Sequence, residues 1–224
     1  MENDSASLWI AGTIDQCTAS AGTGLVDAVV TNPTVVASWC AGGESMESVC
    51  REMLDRTSVP LFIQLRGPRT EQFLTEAEHL KSISPRIVPK LPATHAGLVA
   101  VRKLADRNID SLVTTVCSLE QAYLCATARA RWICPYVARV NDAGGDAFGF
   151  IRDAADYFRR NHLRTQIMPA SVRSAADVAS CLRAGADGVI VFHDLFLTLF
   201  EHPVMAASLA QFETKDWSRI ITMG

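Results

Sequence analysis

Eight short runs of β-branched and apolar residues recur along the chain: LWIAGTI, LVDAVVT, PLFIQLR, RIVPKLPA, DSLVTTVC, WICPYVARV, QIMPASV and GVIVFHD. Between them lie longer stretches whose apolar residues return every three or four positions, such as SMESVCREMLDRT, TEQFLTEAEHLKSI, THAGLVAVRKLADRN, SLEQAYLCATARA, AFGFIRDAADYFRRN and SAADVASCLRAGA. That alternation predicts repeated strand–helix units, and strands apolar on both faces predict a parallel sheet covered by helices on each side. Eight units predict an α/β protein of the closed (β/α)8 TIM-barrel type, with residues 1–224 as one domain. An open doubly wound sheet shows the same alternation and stays as the alternative. Thr70, Thr94, Ser118 and Ser174 stand where helices begin, and Asn108 and Gly185 where they end, as side-chain caps and left-handed closures require. A last helical segment is expected at about 202–219.

A chain of 224 residues is long enough to bury one barrel core. Its 21 basic and 24 acidic residues leave a net charge of −3, which argues against nucleic acid or a membrane surface as partner. No apolar stretch approaches the roughly 18 residues of a membrane span, and MENDSASL lacks a secretory pattern. Cys17, Cys40, Cys50, Cys117, Cys125, Cys134 and Cys181 are odd in number and free of CxxC spacing, which predicts reduced thiols, no zinc site and a cytoplasmic location.

Only Lys81, Lys90, Lys103 and Lys215 are lysines among the basic residues. Lys90 alone lies inside an apolar run, with Pro89 and Pro92 close by. A buried ammonium without a partner sheds its proton, and a neutral lysine is a nucleophile. A lysine at a strand end with its head in water, or paired to a carboxylate, is the plainer reading. Pro89 removes an N–H from an interior strand and predicts a bulge. In a barrel the active site sits at the C-terminal ends of the strands. The polar residues expected there are Asn32, Gln64, Lys90, Thr114, Tyr136, Arg139, Ser171 and Arg173. Their convergence favours a reactive amine at Lys90.

At VVTNPTVVAS, IQLR, VPKLPAT, CPYVARVNDAGG and PASVRSAAD the chain resembles the transaldolase family, in particular its short branch with the fructose-6-phosphate aldolases. The similarity runs from about residue 8 to Trp217. It implies a barrel whose fourth-strand lysine, here Lys90, forms a Schiff base with a ketose phosphate, with no metal or organic cofactor. It also implies Asn32 on the hydroxyls of the bound three-carbon unit, Gln64 and Thr114 around the water of imine formation, and Tyr136 near that water. Arg139, Ser171 and Arg173 then bind phosphate, aided by the N-terminus of the helix after strand seven.

The plain structural roles are a turn residue for Asn32, an interior amide for Gln64, a strand threonine for Thr114, a core aromatic for Tyr136 and solvated charges for the arginines. The family's strand-one aspartate is absent: its position falls on Ala11 or Gly12, and Asp15 replaces it only if the first loop is rearranged. Arg66 is a second-phosphate candidate or an exposed loop residue. Three activities fit: a transferase moving a dihydroxyacetone unit between sugar phosphates, an aldolase-type lyase, which Gln64 and Tyr136 favour, or a catalytically impaired sugar-phosphate binder. The resemblance further implies a homo-oligomer of rings, with ASLAQFETKDWSRI packing on a neighbour.

Overall fold

A computed structural model describes residues 7–215. The chain runs β1 (Ser7–Ala11), α1 (Ile14–Gly22), β2 (Ala28–Val30), α2 (Pro33–Trp39), α3 (Met46–Arg56), β3 (Leu61–Gln64) and α4 (Thr70–Ile83). It continues through β4 (Ile87–Pro92), α5 (His95–Asp106), β5 (Leu112–Val116), α6 (Leu119–Thr127), β6 (Trp132–Pro135), α7 (Val137–Asp142) and α8 (Ala147–Arg160). It ends with β7 (Gln166–Ile167), α9 (Ala175–Arg183), β8 (Gly188–Phe192), α10 (His193–Thr198) and α11 (Pro203–Glu213). The strands are all parallel, in the order β7-β6-β5-β4-β3-β2-β1-β8. The two end strands are joined by Asp187 N–H to Ile167 O at 3.0 Å and Ile190 N–H to Pro169 O at 2.8 Å. The sheet thus comes round into the expected (β/α)8 barrel rather than an open doubly wound sheet.

Two apolar layers follow from strand alternation. Outward residues such as Ile10, Val29, Ile63, Leu91 and Val113 pack against the helices. Inward residues Trp9, Ala28, Val30, Phe62, Leu112, Cys134, Met168 and Ile190 fill the barrel. Trp9 stacks on Phe62 with centroids 4.4 Å apart, and Trp132 meets both edge-on at 5.6 and 5.3 Å. Trp9 Nε1 donates to Ser7 Oγ, and Trp132 Nε1 to Gln166 Oε1. This aromatic floor closes the N-terminal end of the barrel and leaves its polar layer at the other. Gly188 is needed beside it, since a Cβ there would lie 1.9 Å from Ser7 O.

The helix signals hold at most ends. Thr94, Ser118 and Ser174 accept from the backbone N–H three residues on. Asn108 and Gly185 adopt φ of 57° and 91° just past α5 and α9. Thr70 is not a cap: it is the first residue of α4, after an uncapped Arg69, and its hydroxyl donates to Ala96 O at 3.0 Å. Pro89 causes no bulge. The β3–β4 register passes Ile63↔Pro89 without a break. Leu61 and Leu65 donate to Arg86 O and Lys90 O, so alternation turns residue 89 toward β5, before pairing there begins at Lys90↔Leu112. The irregularity lies instead in β5, between Val113 and Val116. The strands are also shorter than the predicted runs. WICPYVARV turns helical at Val137, and QIMPASV is regular strand only at Gln166–Ile167, although Met168 and Ala170 still donate to Ile133 O and Pro135 O beyond it. The last helix covers Pro203–Glu213, and positions 216–219 of the expected segment, with Trp217, lie outside the described residues.

Candidate active site

Lys90 comes from β4, and its side chain rises inside the barrel above the aromatic floor. The residue is 4% exposed, and its Nζ donates to Thr31 O at 2.8 Å, from the end of β2. Burial pushes the amine below the ordinary lysine range, only partly opposed by the nearby Cys134 thiol. A cavity of about 120 Å³ opens over it, and among the described residues no carboxylate lines that cavity. The same cavity is bounded by Asn32, Tyr136, Arg139 and Ser171, and by apolar Ala11 and Phe192. Five residues expected at the mouth therefore meet around one small space.

Asn32 lies two residues past β2, at the start of α2. Its Oδ1 accepts from Val35 N–H at 2.9 Å and caps α2, where Pro33 fits the first turn. The amide nitrogen is then the end available to a ligand. Gln64 is the cross-strand partner of Lys90. Its Oε1 is buried and accepts no hydrogen bond among the described residues, an orphaned acceptor beside Lys90.

Thr114 is fully buried, and its Oγ1 hydrogen-bonds Tyr136 Oη at 3.1 Å. The β5 irregularity sets up this pair: Thr114 and Thr115 stand where β6 offers one residue, and Thr115 takes φ 62°, a conformation costly for a β-branched side chain. Burial raises the Tyr136 phenol above its ordinary range, foremost among several influences, so the hydroxyl stays protonated at neutral pH. The Arg139 guanidinium lies 5.1 Å from the Tyr136 ring centroid. Ser171, in the left-handed region at φ 58°, joins it where its O accepts from Ala138 N–H at 2.9 Å. Arg139 is carried by α7 rather than by a strand end.

Three expectations change. Arg173 does not line the cavity: it is exposed and holds Asp142 through two bonds, of 2.9 and 2.5 Å. The helix after β7 does not offer a bare N-terminus either. Ser174 Oγ accepts from Asp177 N–H, and the Asp177 carboxylate accepts from Arg173 N–H, so an acidic group already occupies the position an anion would take. Asp15 cannot serve the site, because it lies exposed on α1 in an ion pair with Arg56 at 2.6 Å. Of the two positions open for the missing aspartate, Ala11 is the one that lines the cavity. Arg66 is an exposed loop residue paired with Glu76.

Sequence reasoning missed the Thr31 carbonyl and Cys134. The carbonyl is backbone and has no signature. Cys134 is fully buried inside the barrel, and its place two residues before Tyr136 could have revealed that it shares that face. Phe192, at the end of β8, is 53% exposed on the rim.

The chain has well-defined relatives. Residues 11–221 match the sequence model of the family described as transaldolase/fructose-6-phosphate aldolase. A probable transaldolase of Caulobacter vibrioides (strain NA1000 / CB15N) is 36% identical over 198 residues, 88% of this chain and 89% of that protein. One from Desulforudis audaxviator (strain MP104C) is 33% identical over 207 residues, 92% and 94% of the two chains. Among solved structures, a mutant flavocytochrome b2 with pyruvate bound aligns at TM-score 0.59 and 10% identity, covering 84% of this chain and 56% of that one. That is a likeness of fold alone. A lysine-centred barrel mouth and a family match spanning almost the whole length lead to one conclusion: the chain belongs to the transaldolase/fructose-6-phosphate aldolase family.

Proposed function

We propose that the protein transfers a three-carbon dihydroxyacetone unit from a ketose phosphate to an aldose phosphate, through a Schiff base on Lys90. The observation that carries this reading is an amine buried in the barrel, hydrogen-bonded to a backbone carbonyl and facing a cavity that no carboxylate among the described residues lines. Such an amine is neutral at lower pH than a solvated lysine, and hence nucleophilic.

Lys90 Nζ adds to the ketose carbonyl carbon, and loss of water gives an iminium. The C3–C4 bond then breaks, its electron pair passing into the iminium to form an enamine, while the C4 hydroxyl proton leaves and the aldehyde departs. Attack of the enamine on an acceptor aldehyde reverses these steps, and water releases the lysine. Ala11 supplies no carboxylate for the proton. A water beside Gln64, Tyr136 and Thr114 takes that proton, with the Tyr136 hydroxyl staying protonated and accepting from Thr114 Oγ1. Asn32 orients the hydroxyls of the bound unit. Arg139 and Ser171 hold the phosphate, and Arg173 stands outside them on the rim.

Gln64 and Tyr136 also favour a second reading, an aldolase-type lyase that releases dihydroxyacetone. Incubation with fructose 6-phosphate separates the two. Glyceraldehyde 3-phosphate formed only when an aldose phosphate is added supports transfer, and its formation without acceptor supports the lyase. Absence of a borohydride-stable adduct on Lys90 with any ketose phosphate would leave only a sugar-phosphate binder. The same reading places the protein in a reducing cytoplasm, in keeping with seven unpaired thiols, as one barrel domain over 1–224. It also assembles the protein as a homo-oligomer through α11.

A further inference from the structure

The end of the barrel away from Lys90 carries a larger hollow than the mouth. It measures about 610 Å³ and lies among the segments that lead into β5, β6 and β7. Asp110 stands before the first strand, Arg129 and Arg131 before the second, and His162 and Arg164 before the third. Small-molecule sites occupy roughly 300–1,000 Å³, and this volume falls among them. Two bonds tie its walls together: Arg131 Nη1 donates to Arg164 O at 2.6 Å, and Thr165 Oγ1 to Ala130 O at 2.7 Å. The space is therefore formed before a ligand arrives.

The chain as a whole has a net charge of −3, yet this hollow sets three arginines against one aspartate. Helix ends explain part of that. Arg129 and His162 stand just past α6 and α8, at φ 64° and 50°, where each helix presents about half a negative elementary charge that a basic side chain offsets. Arg129 also meets Asp106, a carboxylate that pairs with Arg102 as well. Arg131 and Arg164 have no helix end to serve. The Arg131 guanidinium lies 5.5 Å from the Trp132 ring centroid, and its charge acts on Asp187. Arg164 is exposed and makes no ion pair among the described residues.

We propose that this hollow is a second binding site, for an organic phosphate monoester whose phosphate is clamped by Arg131 and Arg164. The bond from Arg131 to the backbone of residue 164 makes the two arginines neighbours across one seam. A phosphate monoester carries about −1.5 to −2 charges near neutral pH, which two guanidiniums balance, and each guanidinium fork matches a pair of phosphate oxygens. Asp110 is the one charge lining the hollow that opposes it. Phosphate alone would leave most of the space empty, since 610 Å³ is the share of about twenty waters at ~30 Å³ each. The organic body of the ester lies against Ala126, Ala130 and Leu163. The site is at the far end of the barrel from Lys90 and stands whether or not that amine forms an imine.

Isothermal titration of the full chain at low salt tests this, with AMP and with glucitol 6-phosphate, neither of which has a carbonyl to react with Lys90. Saturable binding is expected, and the tighter of the two identifies the organic body as nucleoside or sugar. Arg164→Glu should weaken it about tenfold or more, while leaving the borohydride-trapped adduct on Lys90 as in wild type. Asp110→Asn should tighten it about threefold, a gain that damage to the fold would not produce. Arg139→Ala, at the opposite mouth, should leave AMP binding within twofold of wild type. No saturable heat with either compound overturns the proposal. So does wild-type affinity in both Arg164→Glu and Asp110→Asn, or binding that is lost in Arg139→Ala and kept in Arg164→Glu.

Discussion

Burial gives Lys90 a pH signature. Its folded-state pKa lies below the unfolded value, so the unfolded chain binds the extra proton between the two. Stability tied to this group is therefore lowest below the depressed folded pKa, rises with pH through the window, and levels off near the ordinary lysine value of about 10.4. Urea midpoints for wild type and Lys90→Met, compared across that range, should differ most in favour of the variant at the acid end and converge toward alkaline pH. Buried Cys17, Cys125 and Cys181, each pushed up to about 12, contribute the opposite slope, which the comparison removes because both proteins share it. A constant difference at every pH would mean Lys90 is not buried as an amine. Arg139 sits exposed at the rim, so Arg139→Ala should cost about 1–2 kcal/mol, roughly tenfold in KM for phosphorylated substrates, with little change for free dihydroxyacetone. Equal effects on both would remove it from the phosphate site. Most of these residues were legible as polar groups in apolar runs. Arg173 was not, because a sequence does not say that Asp142, 31 positions away, claims its guanidinium.

At the scale of elements, the strands place chemistry by alternation and the irregular points refine it. Lys90 and Gln64 share a face because β3 and β4 pair in register, whereas Thr114 reaches Tyr136 beside an irregular stretch of β5. The β8 strand tests how tightly the barrel closes. Its Gly188 leaves no room for a methyl against Ser7 O, and Gly188→Ala should lower unfolding free energy by about 3 kcal/mol, read as a shift in urea midpoint at unchanged slope. A change under about 0.5 kcal/mol would show that β1 and β8 separate easily. All eight strands and the six longest predicted helices could be read from periodicity. The helices α1, α2, α7 and α10 could not: α2, α7 and α10 span only six or seven residues, too few turns for a stripe to stand out, α2 carries β-branched Val35 and Val36 that read as strand, and nine-residue α1 buries only Cys17 and Ser20.

For the whole molecule, α11 is the element the barrel does not explain. None of its residues is buried, and Val204, Met205 and Leu209 are 67%, 46% and 51% exposed. Leu197 and Phe200, shortly before it in the chain, are exposed as well, a combination that fits contact with another copy. Light scattering after gel filtration should find an oligomer, and Met205→Glu with Leu209→Glu should reduce it to monomers while the far-ultraviolet spectrum stays that of the barrel. A wild-type monomer would dismiss the idea. By itself the amino-acid order determined the alternation, the parallel sheet and the odd lysine, since period and burial are local properties that each segment carries with it. Only the tertiary structure decided that Lys90 answers to a carbonyl, that Ala11 lines the cavity beside it and that Arg173 turns away. Each of those depends on which distant strand arrives alongside, and such neighbours are set by closure of the barrel.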